Sequence, residues 1–288
     1  MATPQRKLHS LEGIVAAFAL FFVLALTVGF AQAQTQKVVY LKSAAVMVQD
    51  AETGEIVLNK NSDAVVPIAS ITKLMTAMVI LDRGLDLEQR IVLSREDVDT
   101  HKGTRSRLRP GVVLTRNELL LLALMASENR AAAALGRTYP GGMPGFVKAM
   151  NEKAVELGMT DSRFVESTGL SPSNVSSPRD LVKLVRAAHS YPLIREYSTR
   201  DRATVQAYNR PLSFRNTNGL VRNSQWEIEL SKTGYISEAG RCLVMHVRLA
   251  SKDLIVVLLD SWGKQSRIGD ANRIRKWLET STSSSRRI

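Results

Sequence analysis

Strand-like runs lie near both ends of the chain, and helical patterns fill the middle. Residues 44–48 and 55–59 form two such runs around a turn that ends at Gly54, which is typical of a hairpin. Beyond Arg215 three further β-rich runs follow, at residues 226–230, 241–249 and 254–259. The simplest closure is one antiparallel sheet built from both chain ends and flanked by helices. The sequence therefore predicts a mixed α/β (α+β) fold with an inserted helical subdomain at about residues 85–210.

Helix boundaries are marked by capping patterns and glycine. Apolar residues recur at helical spacing from residue 70 to about 83, where Gly84 is expected to end the helix. Thr115 and Glu118 form a capping-box pattern, and the apolar helix that follows is expected to run through 119–125 and 131–134. Ser177 with Pro178 predicts another helix start. A final helix is predicted near residues 264–279, followed by a polar tail at 281–288 that is expected to fray.

The first residues are typical of an export signal. Arg6 and Lys7 precede an apolar run at residues 14–30, and the run closes on Ala31-Gln32-Ala33. This order predicts a signal peptide at residues 1–33 that is cleaved after Ala33. The alternative is an uncleaved anchor, because the apolar run is about as long as a short membrane span. The remaining catalytic unit is expected to span residues 34–280.

The chain is strongly basic, with a formal net charge of +12. Export argues against nucleic acid as the partner, so an anionic wall polymer or a membrane surface is the natural candidate for loose electrostatic association. A well-solvated basic surface without a dedicated partner explains the charge equally well, because the basic residues are scattered along the chain.

Cysteine and histidine usage gives no sign of a disulfide or a metal. Cys242 is the single cysteine, and its apolar neighbours predict a buried core position. His101, His189 and His246 show no metal-ligand spacing. A zinc hydrolase is therefore disfavoured.

Three short polar motifs stand in order along the chain: Ser70-Ile71-Thr72-Lys73, Ser127-Glu128-Asn129 and Lys232-Thr233-Gly234. Their first residues are 57 and 105 residues apart. The first motif is weak alone, since Ser261 and Lys264 repeat the Ser-x-x-Lys pattern after a strand, where we interpret it as structural. Ser70 differs because it begins a predicted helix, which puts Lys73 one turn away on the same face.

This arrangement suits nucleophilic catalysis. A serine hydroxyl needs a nearby base, and a lysine can serve if burial and a second cation lower its pKa. Lys232 is the candidate second cation. The free N–H at the start of the Ser70 helix could bind a developing oxyanion. Ser127 and Asn129 lie in a strongly apolar region, where a buried polar side chain costs free energy unless it forms hydrogen bonds.

Each motif also has a structural interpretation. Ser70 could be a helix cap and Lys73 a solvated helix residue. Gly234 could mark a bulge in a strand. The functional interpretation is that glycine lets a substrate backbone lie beside that strand.

The three motifs in this order resemble the penicillin-recognising serine enzymes, which comprise the D,D-peptidases and the serine β-lactamases. The resemblance extends through "PIASITKLMTAMV", "LLLLALMASENRAAAAL", "FVESTGLSPSNVS" and "LSKTGYISEAGRCLV", and covers nearly the whole predicted mature chain. It is nearest to the periplasmic D-alanyl-D-alanine endopeptidase branch of the low-molecular-mass penicillin-binding proteins. It implies a periplasmic hydrolase whose substrates are peptidoglycan stem peptides and cross-links, with β-lactam antibiotics as acylating inhibitors.

Roles carried over from this resemblance fall on the three motifs. Ser70 would attack the carbonyl of a D-alanine and form an acyl-enzyme, with Lys73 accepting its proton. Ser127 would help to pass a proton to the departing amine, and Asn129 would hold the substrate amide.

The resemblance assigns the remaining roles to the third motif. Lys232 would supply positive charge near the proton relay, assisted by the Thr233 hydroxyl beside Gly234. The backbone N–H groups of Ser70 and Tyr235 would form the oxyanion hole, and water would release the product. The resemblance implies no metal or organic cofactor.

Three alternatives stay open beside a D,D-endopeptidase that remodels the cell wall. A β-lactamase shares the motifs, but the Glu-x-x-Leu-Asn pattern of one major class is not matched after Glu166, so penicillin is expected to acylate Ser70 and stay bound. A D,D-carboxypeptidase uses the same chemistry. Many carboxypeptidases of this family carry an added C-terminal β-domain and an amphipathic anchor, and neither is expected after the final predicted helix, which favours an endopeptidase. A catalytically inactive wall-binding protein is disfavoured because every proposed catalytic side chain is present.

Overall fold

The computed structural model describes residues 39–100 and 102–285, with side chains up to residue 280. The predicted signal peptide at 1–33 lies outside these residues. None of the helices in the described ranges is long and apolar enough to cross a membrane. Seven α-helices are found there: α1 (Thr72–Asp82), α2 (Arg116–Met125), α3 (Asn129–Arg137), α4 (Gly142–Glu156), α5 (Pro178–His189), α6 (Pro192–Thr199) and α7 (Ser266–Ser285).

A five-stranded antiparallel sheet joins the two ends of the described chain. Its strand order is β2-β1-β11-β10-β9. These strands are β1 (Ser43–Asp50), β2 (Ile56–Lys60), β9 (Glu227–Ile236), β10 (Gly240–Leu249) and β11 (Lys252–Ser261). Six shorter strands form three small antiparallel pairs: β3 (Val66–Pro67) with β6 (Val175–Ser176), β4 (Arg90–Val92) with β5 (Val113–Thr115), and β7 (Arg202–Ala207) with β8 (Arg210–Arg215). The predicted α+β fold, with a sheet from both chain ends, is confirmed.

Alternating side chains give the sheet two buried faces. On β10, Cys242 and Val244 face the large core that contains α1, α2 and α5, whereas Leu243 and Met245 face a second core. The second core is covered by Ala271, Ile274 and Leu278 of α7. The sheet is therefore a layer between two cores, and β9 is one of its two edge strands.

The capping predictions are confirmed. Thr115 and Glu118 form the capping box of α2, and the Ser177 hydroxyl accepts a hydrogen bond from the Asp180 N–H at the start of α5. The last helix reaches Ser285 and so extends into the predicted tail.

Two local interpretations are wrong. The apolar helix predicted through 119–134 is interrupted, because Ser127 has φ +56° between α2 and α3. Gly234 lies inside β9 in regular register with Cys242, so it does not mark a bulge. The segment at 85–210 contains α2 to α6, as the inserted helical subdomain predicts, and the β7–β8 hairpin begins near its end. The outer limits of that subdomain stay a prediction.

Buried Asp270 of α7 joins the last helix to the start of β1. Its carboxylate accepts hydrogen bonds from the Lys42 N–H at 3.0 Å, the Ser43 N–H at 2.7 Å and the Ser43 hydroxyl at 2.6 Å. Burial raises the pKa of Asp270, but these hydrogen bonds and one from Arg273 outweigh that effect, so its pKa lies below the ordinary value. The charged form is therefore favoured in the folded state.

We expect Asp270→Asn to lower the free energy of unfolding at neutral pH by about 1–3 kcal/mol, because a buried charged acceptor is lost. The depressed pKa stabilises the fold above the pKa of the unfolded chain, and this contribution disappears as the pH falls through the folded value. The difference between wild type and variant should therefore shrink in acid. Urea denaturation measures both. Glu279→Gln, on an exposed part of α7, is the control and should change stability by less than about 0.5 kcal/mol; an Asp270→Asn protein as stable as the control would contradict the assignment.

Candidate active site

Three segments from distant parts of the chain meet beside β9. They are the 3₁₀ turn Ala69–Ile71 with the start of α1, the junction between α2 and α3, and the loop at residues 166–170. All three predicted motifs lie on these segments and on β9. The structure thus brings the predicted site residues to one end of the edge strand.

Lys73 lies at the centre of the first half of the site. Its amine contacts the Ser70 hydroxyl oxygen at 2.8 Å, the Asn129 side-chain oxygen at 2.8 Å and the Thr168 carbonyl oxygen at 2.6 Å. Ser70 is in the 3₁₀ turn and Lys73 in the first turn of α1, so the i, i+3 spacing brings them together as predicted. Three oxygens from three segments fix the amine against the candidate nucleophile.

Burial lowers the pKa of Lys73 to about 8. The amine has no exposure to solvent, and the negative charges of Glu166 and Glu128 only partly offset the cost of burying a cation. Lys232, the candidate second cation, is not among the causes of the lowered pKa of Lys73. Burial alone lowers this pKa, which makes Lys73 a base that can be neutral close to physiological pH.

Lys232 and Ser127 form the second half of the site. The fully buried Lys232 amine donates to the Ser127 hydroxyl at 2.9 Å and to the Thr233 carbonyl at 3.0 Å. Burial and then the charges of Lys73 and Arg267 hold the pKa of Lys232 well below its ordinary value. The positive φ of Ser127 turns the chain out of α2 at this point, so its hydroxyl reaches β9. This is the physical reason for the interrupted helix.

Gly234 lets β9 pass directly against the Ser70 turn. A Cβ atom placed on Gly234 would lie 2.9 Å from the Ile68 carbonyl oxygen and 3.1 Å from the Ser70 nitrogen. Because β9 is an edge strand, alternate backbone groups face away from β10 and remain available to a ligand. The hydroxyl groups of Thr233 and Thr217 form a hydrogen bond with an oxygen–oxygen distance of 2.6 Å. Tyr235, the residue after Gly234, is exposed. Glycine is therefore required here by the close approach of the Ser70 turn. The approach of a substrate backbone to this strand stays a prediction.

Glu166 is engaged in its own loop. Its carboxylate accepts hydrogen bonds from the N–H and hydroxyl of Thr168, the Gly169 N–H at 2.7 Å and the Asn174 amide at 2.9 Å. Gly169 has φ +80°, and a Cβ there would lie 2.0 Å from the Ala69 carbonyl oxygen. Glu166 thus shapes the loop whose Thr168 carbonyl holds Lys73.

Arg267 and Thr168 are site residues that sequence reasoning missed. The Arg267 guanidinium, from the start of α7, donates to the Gly234 carbonyl at 2.9 Å and the Cys242 carbonyl at 3.2 Å. It lies 33 residues from Gly234 in sequence and carries no motif signal. Thr168 acts through its backbone carbonyl, which no residue pattern reveals.

A cleft of about 620 Å³ opens beside Asn129 and Thr168. One wall is formed by residues 96–100 and Lys102, and Thr104 beyond it accepts a hydrogen bond from the Asn129 amide at 3.2 Å. Lys102 forms an ion pair with Glu238 in the β9–β10 turn. Asn129 and Thr168 line the cleft and also contact the Lys73 amine, so the cleft lies directly beside this half of the site.

Comparison with known proteins identifies close relatives. A family model described as D-alanyl-D-alanine carboxypeptidase matches residues 31–263. The chain is 49% identical to a D-alanyl-D-alanine endopeptidase of Pseudomonas aeruginosa, which covers 83% of this chain and 78% of the relative. It is 47% identical to a protein of the same name from Escherichia coli K12, with the same coverage. A D-alanyl-D-alanine carboxypeptidase of Bacillus subtilis is 30% identical, over 78% of this chain and 59% of the relative.

Solved structures share the fold. The crystal structure of a Streptomyces DD-transpeptidase matches with a TM-score of 0.77 and 26% identity, over 84% of this chain and 98% of that one. A D-alanyl-D-alanine carboxypeptidase of Mycobacterium tuberculosis matches with a TM-score of 0.77 and 25% identity, over 85% and 94% of the two chains.

We expect Gly234→Ala to separate β9 from the Ser70 turn, because the new methyl would contact a carbonyl oxygen at 2.9 Å. Overpacking of this kind costs about 1–3 kcal/mol of stability. Labelling of Ser70 by an acylating probe should slow as well. Urea denaturation and the labelling rate measure the two effects. Gly219→Ala is the matched control, since its Cβ would meet only the Arg222 guanidinium, at 3.7 Å. Equal labelling rates for the two variants would refute the close-approach argument.

Proposed function

The chain belongs to the D-alanyl-D-alanine carboxypeptidase family of serine peptidases, and from that premise we propose a serine D,D-endopeptidase that hydrolyses D-alanyl cross-links in peptidoglycan. The observation that carries the proposal is the 2.8 Å contact between the buried Lys73 amine and the Ser70 hydroxyl. It pairs a nucleophile with a base whose pKa of about 8 suits the task.

Acylation follows from this pair. Neutral Lys73 takes the Ser70 hydroxyl proton as the oxygen attacks the carbonyl carbon of the D-alanine that donates its acyl group. Negative charge then develops on the substrate oxygen, where the N–H groups of Ser70 and Tyr235 stabilise it. Collapse of the tetrahedral intermediate breaks the C–N bond, and the departing amine takes a proton through the Ser127 hydroxyl, which the Lys232 amine contacts at 2.9 Å. The products of this step are the Ser70 ester and a free amine.

Substrate binding uses the remaining residues of the motifs. The Asn129 side-chain oxygen accepts a hydrogen bond from Lys73, and the Asn129 NH2 group donates one to the Thr104 hydroxyl beyond the cleft wall. The carbonyl oxygen of a substrate amide can replace Thr104 as the acceptor. The extended peptide lies along the free edge of β9, where Thr233 and Gly234 give it backbone and hydroxyl partners. Water then hydrolyses the ester and regenerates Ser70.

Glu166 supports a peptidase over a β-lactamase. Its carboxylate is occupied by four donors of its own loop, so it is poorly placed to activate a deacylating water. We therefore expect penicillin to acylate Ser70 and to remain bound. Rapid catalytic turnover of penicillin would overturn this choice.

The name endopeptidase on the most similar of the relatives described above favours cleavage of cross-links over removal of a terminal D-alanine. Cross-linked peptidoglycan lies outside the cytoplasm, so the enzyme is assigned to the periplasm and to cell-wall remodelling. Its net charge of +12 supports a loose, salt-sensitive association with anionic wall or membrane surfaces.

Digestion of purified cross-linked muropeptides by the mature protein tests the proposal directly. We expect each dimer to take up one water and give two monomers whose masses together equal that of the dimer plus one water, as read by mass spectrometry. Ser70→Ala removes the nucleophile and should abolish the conversion. Loss of only a terminal D-alanine from pentapeptides, again dependent on Ser70, would instead make the enzyme a carboxypeptidase.

The rate of Ser70 acylation by a fluorescent penicillin should rise with pH, with a midpoint of about 8. Lys73 is protonated below this pKa and cannot accept the serine proton, whereas above it the neutral amine predominates. Stopped-time labelling across the pH range measures the profile. Lys73→Arg, which stays charged throughout, should label very slowly at every pH. A flat profile in the wild type would exclude Lys73 as the base.

A further inference from the structure

A second group of ionisable side chains lies away from the active site, on the same face of the sheet. His189 is the last residue of α5, Glu229 lies on β9 and His246 lies on β10. Their ligand atoms all lie within 4.8 Å of one another. No sequence pattern indicates this group, because 40 residues separate His189 from Glu229.

A bulge in β9 directs Glu229 toward the two histidines. Leu230 pairs with His246, but Ile228 pairs with Val247, so Glu229 is an extra residue on its strand. The two neighbours of Glu229 consequently pack on opposite faces, with Leu230 in the large core and Ile228 against the α7 core. Bulges of this kind re-aim a side chain. A regular strand would put Leu230 and Ile228 on one face.

The three side chains leave one ligand atom without a partner. Glu229 Oε2 lies 2.6 Å from His189 Nε2 but 3.5 Å from His246 Nδ1. His246 Nδ1 is buried and has no hydrogen-bond partner among the described residues, and only 8% of its side chain is exposed. An unsatisfied buried nitrogen costs free energy, so its retention requires a reason.

We propose that His189, Glu229 and His246 bind a divalent transition-metal cation, with Zn²⁺ as the best-suited ion. Two imidazole nitrogens and one carboxylate oxygen form a ligand set that suits zinc and its neighbours and is unsuited to Mg²⁺ or Ca²⁺. The metal would satisfy His246 Nδ1. A fourth position stays open to water, because His189 and Glu229 are about 30% exposed beside a depression of about 690 Å³.

Binding requires small changes in distance and a reorientation of the two imidazole rings. Ligand atoms on a tetrahedral zinc with bonds of 2.0–2.1 Å lie about 3.3 Å apart. The present separations of 2.6 and 3.5 Å from the shared Glu229 oxygen are within an ångström of that value. The two imidazole rings are stacked at 3.8 Å and nearly parallel, so they must splay until the metal lies in the plane of each.

The site would tie the end of α5 to β9 and β10. It takes no part in the Ser70 reaction, since Glu229 lies three residues before Lys232 on the strand, about 10 Å away along it. Its expected effect is therefore on stability and on the rigidity of the edge strand.

Calorimetric titration of the untagged, chelator-treated mature protein with zinc chloride tests the proposal. We expect one Zn²⁺ per chain and a rise in Tm on saturation, since a ligand that binds only the folded state stabilises it. Co²⁺ in place of Zn²⁺ should give the visible absorption of a tetrahedral site, and Mg²⁺ should give no binding.

Four single variants separate this site from other binding. Loss of a residue that merely supports a ligand costs about 10–100-fold in metal affinity, so His246→Gln, His189→Gln and Glu229→Gln should each lose at least that much. The last two alter partly exposed side chains and should fold normally. His101→Gln removes the other imidazole of the predicted mature chain and should bind as the wild type does. Absence of Zn²⁺ binding in the wild type, or equal affinity in His246→Gln and His101→Gln, would overturn the proposal.

Discussion

The burial of two lysine amines is the constraint on which the rest of the site depends. A cation in a protein interior is costly unless polar atoms surround it, and the cost is lower when the group releases its proton. Lys73 meets three oxygens from three segments, and Lys232 meets two. Because each oxygen must be held within hydrogen-bond distance, the loop at 166–170 and the α2–α3 junction have to be fixed as firmly as the helices. Burial of Lys73 costs folding free energy, and it also lowers the pKa of the amine so that Lys73 can act as a base.

Close backbone contact supplies that rigidity. Gly234 lets β9 pack directly against the Ser70 turn, and Gly169 does the same for the loop. A Cβ at these positions would lie 2.9 Å and 2.0 Å, respectively, from a carbonyl oxygen. The Glu166 carboxylate stabilises the loop by accepting hydrogen bonds from the backbone N–H groups of Thr168 and Gly169. A carboxylate used in this way is a structural anchor for the Thr168 carbonyl. It follows that a peptidase and a β-lactamase can share three motifs and still differ in the role of one glutamate.

The sequence predicted the features that depend on local spacing. Ser70 and Lys73 lie one helical turn apart, β-rich apolar runs mark the strands near both chain ends, and capping residues mark α2 and α5, so the α+β fold and the motif residues could be placed. Features decided by distant contacts could not be. The positive φ at Ser127 contradicts its apolar helical surroundings and is explained by the hydrogen bond from Lys232, 105 residues away. Arg267 and the Thr168 carbonyl likewise enter the site only through tertiary packing.

The bulge at Glu229 connects the proposed metal site to catalysis through strand register. Side chains alternate along a strand, so a one-residue slip moves every residue after it to the opposite face. Leu230, Lys232 and Gly234 face the helical core because the extra residue stands at Glu229. If the bulge were lost while Ile228 stayed paired with Val247, Lys232 would pair with Leu243 instead of Val244 and would face the α7 core instead of Ser127. A ligand that holds Glu229 to His246 would therefore stabilise the register that places the second catalytic lysine, although it lies outside the reaction itself.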